Sequence, residues 1–408
     1  MTNSRERAFL SSSVPLAALA ALIAGCSESS PADPIPPPSV QTATVTGFIY
    51  IRDEVVETPL AGATVTIRSV SATSAQNGRF EMANVPVGLT SASVTAAGFD
   101  PAQQGLSVQA GTNTITMSLL PVNTMYEAGQ FLVYVPSGVS TVRGVFFFLI
   151  GGNTDSRPFL RDDLTALTGT ELSEAQNYRR RMMALARAHG LALIGAPVNS
   201  SSPAAILGAL VSVSEKGRPE LAHAPLMFHG NSGGVCPAYD FTVKHPDRVI
   251  GFIIAKAAAC LSTDASPARG VPGYFIFGEL DTVLPTAGAY MTALFAQHRA
   301  NGALWALAVE RGAGHEHVGD HNLLFNWMGD VITRRLPATI TPGAPVQLRP
   351  VVSATGWLGD GSSSVIAEFG CYNGDKLSAS WLPSEGAARN WQTMVSRGSV
   401  NTITPCGL

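Results

Sequence analysis

The chain has 408 residues, of which 46% are hydrophobic and only 13% are charged, and its formal net charge is −3. This length allows two or three domains with at least one large hydrophobic core. The scarcity of charge and the slightly acidic balance exclude the basic surface that binds nucleic acids or anionic membranes. We therefore expect no nucleic-acid partner.

Residues 1–26 predict a targeting segment. Two arginines precede an apolar run over residues 14–24 that is too short to span a membrane. The run ends in Leu-Ile-Ala-Gly-Cys at Cys26, which resembles the lipobox of bacterial lipoproteins and implies lipidation of Cys26. An ordinary secretory signal is the alternative. Ser27 after the cysteine favours the outer membrane or the cell surface, and residues 27–40, rich in Pro and Ser, predict an extended tether.

Residues 41–121 predict a small all-β sandwich. Short runs of alternating hydrophobic residues are separated by turn residues, as in antiparallel sheets. The predicted strands are Thr44–Ile51, Ala63–Ile67, Gly78–Met82, Thr90–Ala96 and Thr114–Leu119. Three stretches, residues 59–65, 76–80 and 84–88, resemble the carboxypeptidase regulatory-like domain. The resemblance implies a spacer or interaction module without chemistry of its own.

Strands and helices alternate over residues 122–337, which favours a mainly parallel sheet with helices on both faces. The predicted strands are residues 130–135, 142–150, 191–196, 224–229, 249–257, 273–277 and 304–310. The predicted helices are residues 171–189, 204–216, 235–245 and 322–336.

Residues 230–234 spell G-x-S-x-G between an apolar strand and a helical segment. A sharp strand-to-helix turn leaves no room for side chains two residues before and after the serine, so glycine is required there. The turn exposes the Ser232 hydroxyl above the sheet. The backbone N–H of Gly233 starts the helix and points at an oxyanion formed on the serine. The motif predicts Ser232 as a nucleophile and Gly233 as an oxyanion donor.

The alternating pattern with this serine at its centre resembles the α/β-hydrolase fold, in which a triad follows in the order Ser, Asp, His. Asp281 follows a later strand, and His315 follows the last strand in a glycine-rich loop. The resemblance implies that His315 takes the proton of Ser232 and that Asp281 orients the imidazole. Two alternatives concern the acid: Glu279 in its place, or Asp281 acting only as the N-cap of a helix over residues 282–295.

The second oxyanion donor of that family comes from the loop after the third strand. Here the strand ends at Ile150 and is followed by Gly151, Gly152 and Asn153, so Ile150 stands where the family's His-Gly-Gly forms place histidine. Backbone N–H groups of Gly151, Gly152 or Asn153 are the candidates, because the glycines let the chain approach a substrate closely.

Four cysteines remain after Cys26, and an even number in an oxidising compartment predicts disulfides. Cys236 lies in the first turn after the serine and Cys260 follows the next predicted strand, so these two form a reasonable pair. That pairing leaves Cys371 with Cys406. Four free thiols are the alternative.

A metal site competes with the triad. The stretch from His315 to His321 resembles the H-x-H-x-D-H signature of metallo-β-lactamase-type hydrolases, with one residue too many before the aspartate. A zinc ion needs three or four convergent ligands, and no histidine follows His321. We therefore expect no metal and no cofactor.

The substrate is predicted from the space above the serine. Only residues 258–272 separate the strand after the serine from the acid-bearing strand, which is too short for a helical lid. An open site on an exported enzyme suits small, bulky or polymeric esters, and the domain resembles secreted esterases of the polyhydroxyalkanoate-depolymerase and feruloyl-esterase-like kind. The resemblance implies a serine carboxylic-ester hydrolase. The alternatives are a serine peptidase of the prolyl-oligopeptidase type and a non-catalytic surface binding protein.

Residues 338–408 predict an irregular C-terminal extension that packs on the hydrolase and contains one helix over residues 384–395. Trp357, Trp381 and Trp391 lie in it. They either face a carbohydrate or polymer, or pack the extension onto the domain before it.

Overall fold

The computed structural model describes residues 40–52, 58–120, 124–136, 139–151, 154–256, 260–315, 321–396 and 403. The targeting segment with Cys26 and all of the tether except Val40 lie outside these residues. Within the described part of the chain, no helix combines the length and apolar character needed to cross a membrane.

The N-terminal domain consists of two four-stranded sheets. Its strands are β1 (Thr42–Ile51), β2 (Thr58–Pro59), β3 (Thr64–Ile67), β4 (Val70–Thr73), β5 (Arg79–Pro86), β6 (Gly88–Thr95), β7 (Ala102–Val108) and β8 (Thr112–Leu119). One sheet has β2, β1 and β5 in order with β8 also paired to β1, and the other has the order β4-β3-β6-β7. Alternate residues of β1, such as Val45 and Ile49, are buried between the sheets.

The five strands predicted here are present with shifted ends, whereas β2, β4 and β7 were not predicted. Strand β2 is only two residues long, and β7 buries only Val108, so neither carries a clear alternating pattern.

The second domain is built on an eight-stranded mixed sheet. Its strands are β9 (Thr124–Ala128), β10 (Phe131–Val135), β11 (Gly144–Leu149), β12 (Leu191–Gly195), β13 (Leu226–Asn231), β14 (Val249–Ala255), β15 (Gly273–Gly278) and β16 (Trp305–Glu310). The order across the sheet is β16-β15-β14-β13-β11-β12-β10-β9. Strands β11 to β16 pair in parallel, whereas β10 pairs antiparallel with β9 and β12. Strands β11 to β14 are buried throughout, as expected for strands covered on both faces.

Helices cover both faces of this sheet. They are α1 (Arg157–Arg161), α2 (Gly169–His189), α3 (Pro203–Ser214), α4 (Val235–Lys244), α5 (Ala287–Arg299), α6 (His321–Arg335) and α7 (Glu385–Val395). One core takes apolar residues from α3, α4 and α5, and the other from α2, α6 and α7. The strand order and the two helical layers confirm the predicted α/β-hydrolase architecture. The helix expected over residues 282–295 is in fact α5, which begins five residues later.

The C-terminal extension is less irregular than predicted. Three antiparallel strands, β17 (Trp357–Gly359), β18 (Ile366–Glu368) and β19 (Ser380–Leu382), form a small sheet with the order β18-β17-β19. Each is three residues long, which is too short to show a period. Trp381 and Trp391 are fully buried, and the Trp391 indole N–H donates to the Leu307 carbonyl of β16 at 2.7 Å. These two tryptophans therefore pack the extension, whereas Trp357 is half-buried.

Candidate active site

The turn between β13 and α4 holds Ser232 in a strained conformation. Its φ is +49°, in the left-handed region that a serine seldom adopts and that costs about 1–3 kcal/mol. A Cβ at Gly230 would lie 2.7 Å from the Gly234 carbonyl oxygen, and one at Gly234 would lie 2.2 Å from the Leu149 carbonyl oxygen. Both distances are impossible contacts, so the two flanking glycines are needed for the turn, as their spacing predicts.

Three side chains meet above the carboxyl ends of the strands. Ser232 Oγ lies 2.9 Å from His315 Nε2, and His315 Nδ1 lies 2.8 Å from Asp281 Oδ2. An ionised aspartate only accepts hydrogen bonds, so Nδ1 carries the proton and Nε2 accepts from the serine hydroxyl. The structure thus brings together the three residues that the sequence predicts as a triad, each on a loop that follows a different strand.

Asp281 is fixed by more than the imidazole. Its side chain is 4% exposed, and its Oδ1 accepts hydrogen bonds from the backbone N–H groups of Val283 at 3.0 Å and Leu284 at 3.1 Å. Burial acts to raise the pKa of Asp281, but the His315 hydrogen bond, the two backbone hydrogen bonds and the attraction to the imidazole outweigh it and lower the pKa. The residue is not the N-cap of α5, whose preceding residue is Thr286.

Glu279, the alternative acid, has other partners. Its Oε1 accepts from the Arg311 guanidinium at 3.2 Å, and its Oε2 accepts from the Gly312 backbone N–H at 3.1 Å. These contacts hold the start of the loop that carries His315. Glu279 therefore supports the histidine loop, and Asp281 touches the imidazole.

The predicted oxyanion side of the site is formed by the chain after β11. A Cβ at Gly151 would lie 2.5 Å from Ser232 Cβ and 3.2 Å from its Oγ, so this backbone passes directly beside the hydroxyl. The Thr154 hydroxyl donates to the Gly151 carbonyl at 2.5 Å, which holds the loop. Gly233 is the second residue of the turn that starts at Ser232. Gly152 lies outside the described residues.

A buried lysine beneath the histidine loop was missed in the sequence. Lys256 follows β14, its side chain is completely buried, and its Nζ lies 2.6 Å from Glu310 Oε2 and donates to the Gly314 carbonyl at 2.9 Å. A charged residue directly after a wholly apolar central strand was the available signal, because such a charge needs a buried partner.

The disulfides agree with part of the predicted pairing. Cys236 in the first turn of α4 is bonded to Cys260, which follows β14. Cys371 is also disulfide-bonded, and Cys406 lies outside the described residues. The first bridge joins the segment after the nucleophile turn to the segment after the next strand.

The metal alternative finds little support at His315. Both of its ring nitrogens are engaged, one by Ser232 and one by Asp281. The described residues contain no group of three His, Cys, Asp or Glu side chains placed to hold a metal. His317 lies outside those residues, as does the side chain of His321.

Comparison with known families concerns the N-terminal domain. Residues 44–119 match the carboxypeptidase regulatory-like domain. This confirms the resemblance predicted from the turn motifs of that segment. The curated proteins include no match to the chain.

Solved structures resemble both parts of the chain. A type II cohesin–X-dockerin complex from Acetivibrio cellulolyticus is 26% identical, with 19% of this chain and 56% of that chain covered and a TM-score of 0.17. A thermostable esterase is 12% identical, with 72% of this chain and 95% of that chain covered and a TM-score of 0.32. A mutant feruloyl esterase module from Clostridium thermocellum, complexed with sinapinate, is 13% identical, with 52% and 86% covered and a TM-score of 0.35.

Proposed function

We propose that the protein is a serine hydrolase that cleaves carboxylic esters through an acyl-enzyme. The observation that carries the proposal is the continuous line of contacts from Ser232 to His315 to Asp281, with the serine in a strained turn. A residue held in a rare conformation with a base at its hydroxyl is arranged for nucleophilic attack.

In the first half-reaction, Ser232 Oγ attacks the ester carbonyl carbon while its proton passes to His315 Nε2. Asp281 stabilises the imidazolium that forms, and backbone N–H groups at Gly233 and on the Gly151 loop bind the oxyanion. The intermediate collapses when the alcohol leaves with the proton from His315. In the second half-reaction, water attacks the acyl carbonyl carbon while its proton passes to His315. The tetrahedral intermediate then collapses, and His315 returns the proton to Ser232 Oγ as the carboxylic acid is released.

The two other functional classes make opposite predictions. A serine peptidase of the prolyl-oligopeptidase type shares this triad and would cleave peptide amides as well as esters, whereas a carboxylic esterase leaves peptide amides intact. A non-catalytic binding protein needs neither the strained serine nor the buried Asp281–His315 pair. The arrangement of the site therefore favours an enzyme, and its preference for esters rests on the resemblance of the sequence to secreted esterases.

The deciding experiment combines active-site labelling with substrate profiling. A fluorophosphonate probe is expected to label wild-type protein but not Ser232→Ala. The wild type is expected to cleave p-nitrophenyl esters and to leave a panel of peptide amides intact, whereas a peptidase would cleave both. Activity that EDTA abolishes and zinc restores would favour the metal alternative instead. Equal activity in Ser232→Ala would refute the triad.

We further propose that the mature protein is tethered to the bacterial cell envelope through a lipid on Cys26, in the outer membrane or at the cell surface. The lipobox-like sequence and the Pro-rich segment after it support this proposal. Cys26→Ala is expected to move the protein from the membrane fraction to the soluble fraction with unchanged specific activity. A variant that stays with the membrane would contradict the anchor.

A further inference from the structure

A cavity of about 500 Å³ lies between the end of β11 and the start of α2. This volume is within the range of about 300–1,000 Å³ typical of small-molecule pockets. Its wall is mainly apolar and includes Phe148, Phe159, Leu164, Leu167 and Tyr178. The rings of Phe148 and Phe159 are 5.6 Å apart between centroids, and those of Phe148 and Tyr178 are 4.3 Å apart. Such a wall binds an apolar group by removing it from water.

The cavity adjoins the loop that borders the nucleophile. Ile150 and Thr154 both line it. Between them in sequence lies Gly151, where a Cβ would be only 3.2 Å from Ser232 Oγ. The same loop therefore contacts the serine and forms part of the cavity wall.

The position of the cavity in the sheet indicates which half of an ester it takes. Strand β11 lies on one side of β13, whereas β15 and β16, which precede Asp281 and His315, lie on the other side. His315 must protonate the departing alcohol, so the alcohol is released on the side of β15 and β16. The acyl group that stays on Ser232 then extends to the side of β11, where the cavity lies.

The charged side chains that line the cavity are all negative. Four carboxylates line it, namely Asp155, Asp163, Glu171 and Glu174, and no Lys, Arg or His is among the lining residues. Asp155 is paired with Arg157 at 2.6 Å, and the other three carboxylates are exposed. Grouped carboxylates beside an apolar wall make the local potential negative, which repels anionic ligands.

We propose that this cavity is the acyl-binding subsite, and that it accepts uncharged apolar acyl groups and rejects acyl groups that carry a carboxylate. The inference rests on the proposed function, since it assigns the two halves of an ester cleaved at Ser232. It adds a site and a charge selectivity to that function.

Charge selectivity is tested with three p-nitrophenyl esters of equal acyl length whose chains end in a methyl, a carboxylate or a trimethylammonium group. An apolar wall disfavours both charged chains, whereas the carboxylates disfavour only the anion. We expect kcat/KM for the anionic ester to be at least about tenfold below that for the cationic ester at low salt, a gap of about 1.4 kcal/mol. The gap between the two kcat/KM values should shrink in about 1 M salt, where the Debye length falls to about 3 Å.

In the triple variant Asp163→Asn, Glu171→Gln and Glu174→Gln, the gap in kcat/KM between the anionic and the cationic ester should narrow. Equal kcat/KM for the anionic and cationic esters in wild type would overturn the charge selectivity. A gap unchanged in the triple variant would overturn the role of these carboxylates.

Whether the acyl chain enters the cavity is tested by placing a larger side chain in the cavity wall. Ala175 of α2 is buried and lines the cavity, whereas Ala184 lies on the exposed face of the same helix. Ala175→Leu should lower kcat/KM for the octanoate ester by about tenfold or more relative to the acetate ester, because only the longer chain needs the space. The matched control Ala184→Leu should leave both unchanged.

An unchanged octanoate-to-acetate ratio in Ala175→Leu would overturn the acyl-subsite assignment. If thermal unfolding shows that this variant does not fold, Leu167→Trp in the loop before α2 is the deciding variant. It should lower the octanoate-to-acetate ratio of kcat/KM by a similar factor. Failure of the proposed function itself looks different, since wild type would then cleave none of the esters or Ser232→Ala would cleave them equally well.

Discussion

The ammonium of Lys256 donates a hydrogen bond to the carbonyl of Gly314, 2.9 Å away, directly before His315 in the chain. The same ammonium lies 2.6 Å from the carboxylate of Glu310 at the end of β16. Lys256 itself follows β14 and has a φ of +59°, which a lysine seldom adopts. One buried cation thus joins the ends of two strands to the backbone of the histidine loop, and it acts as a positioning residue.

Lys256→Met should lower both the stability of the protein and its catalytic rate. The carboxylate of Glu310 loses the ammonium beside it, and breaking such a buried pair costs about 3–5 kcal/mol in the free energy of unfolding. The loosened His315 loop should lower kcat by up to about a hundredfold, because small misplacements of a catalytic group have effects of that size. KM should change little, since Lys256 is not among the residues that line the acyl cavity. The measurements are urea unfolding and steady-state kinetics on one soluble ester.

The double variant Lys256→Met with Glu310→Leu is the control for this prediction. Replacing both charges with apolar side chains restores much of the stability that the single variant loses. It does not restore the hydrogen bond to Gly314, so kcat should stay low. Recovery of kcat together with stability would show that Lys256 has only a structural role.

Gly234→Ala should destabilise the protein strongly. The added methyl group would meet the Leu149 carbonyl oxygen at 2.2 Å and the Leu149 carbonyl carbon at 2.6 Å, so the backbone would have to shift. We expect a loss of more than about 3 kcal/mol, at or above the upper end of ordinary overpacking. Gly208→Ala in the interior of α3 is the matched control, because a Cβ there meets open space and alanine favours a helix by about 1 kcal/mol. Denaturant unfolding of both variants checks the pair, and equal stability of Gly234→Ala and wild type would contradict the steric argument.

Local rules were sufficient for the parts of the site that follow strands. The turn at Ser232 needs glycines two residues away on each side, and that requirement is visible as G-x-S-x-G. Parallel strands end at a shared edge, so residues directly after them, such as Asp281 and His315, are brought together by topology alone. The long apolar runs of the central strands made the sheet itself predictable.

Features that depend on contacts between distant segments were not predictable. The pairing of Lys256 with Glu310 joins residues 54 apart in sequence, and although the position of Lys256 after an apolar strand signals a buried partner, no local pattern identifies Glu310 as that partner. The acyl cavity is lined by α1 and the loop before α2, a region without clear periodicity. The short segment between β14 and β15 excludes a helical lid only at that place, whereas the wall of the cavity comes from the segment after β11.

Removal of the Cys236–Cys260 bridge should lower stability with little effect on catalysis in the folded state. The bridge closes a loop with a sequence separation of 24, for which the loss of unfolded-state entropy amounts to about 3.5 kcal/mol. The variant with Cys236→Ala and Cys260→Ala should therefore unfold at lower temperature while keeping kcat near wild type below its transition. Calorimetry and kinetics at a common temperature check this. A large fall in kcat well below the transition would mean that the bridge also positions the nucleophile turn.

The lowered pKa of Asp281 gives a stability that depends on pH. Since the unfolded chain takes up the proton at higher pH than the folded protein, ionised Asp281 contributes its full stabilisation above its unfolded pKa of about 3.9. The contribution is lost as the pH falls from there through the lower folded-state pKa. The free energies of unfolding of wild type and Asp281→Asn are measured by urea unfolding between about pH 3 and pH 7. Their difference should be constant near neutrality, and wild type should lose stability relative to the variant at the lowest pH. A difference that moves in favour of wild type as the pH falls would reverse the assigned direction.

Asp281→Asn and Glu279→Gln should have very different effects on catalysis, although the two carboxylates are only two residues apart. Asp281 Oδ2 lies 2.8 Å from His315 Nδ1, so an amide there no longer selects the tautomer that leaves Nε2 free to accept the serine proton. We expect kcat to fall by about four orders of magnitude. Glu279 contacts the start of the histidine loop through Arg311 and Gly312, so Glu279→Gln should cost about tenfold or less. Both values of kcat are measured on one soluble ester after thermal unfolding has shown that each variant is folded. If kcat fell by orders of magnitude in Glu279→Gln and stayed near wild type in Asp281→Asn, the acid of the triad would be Glu279.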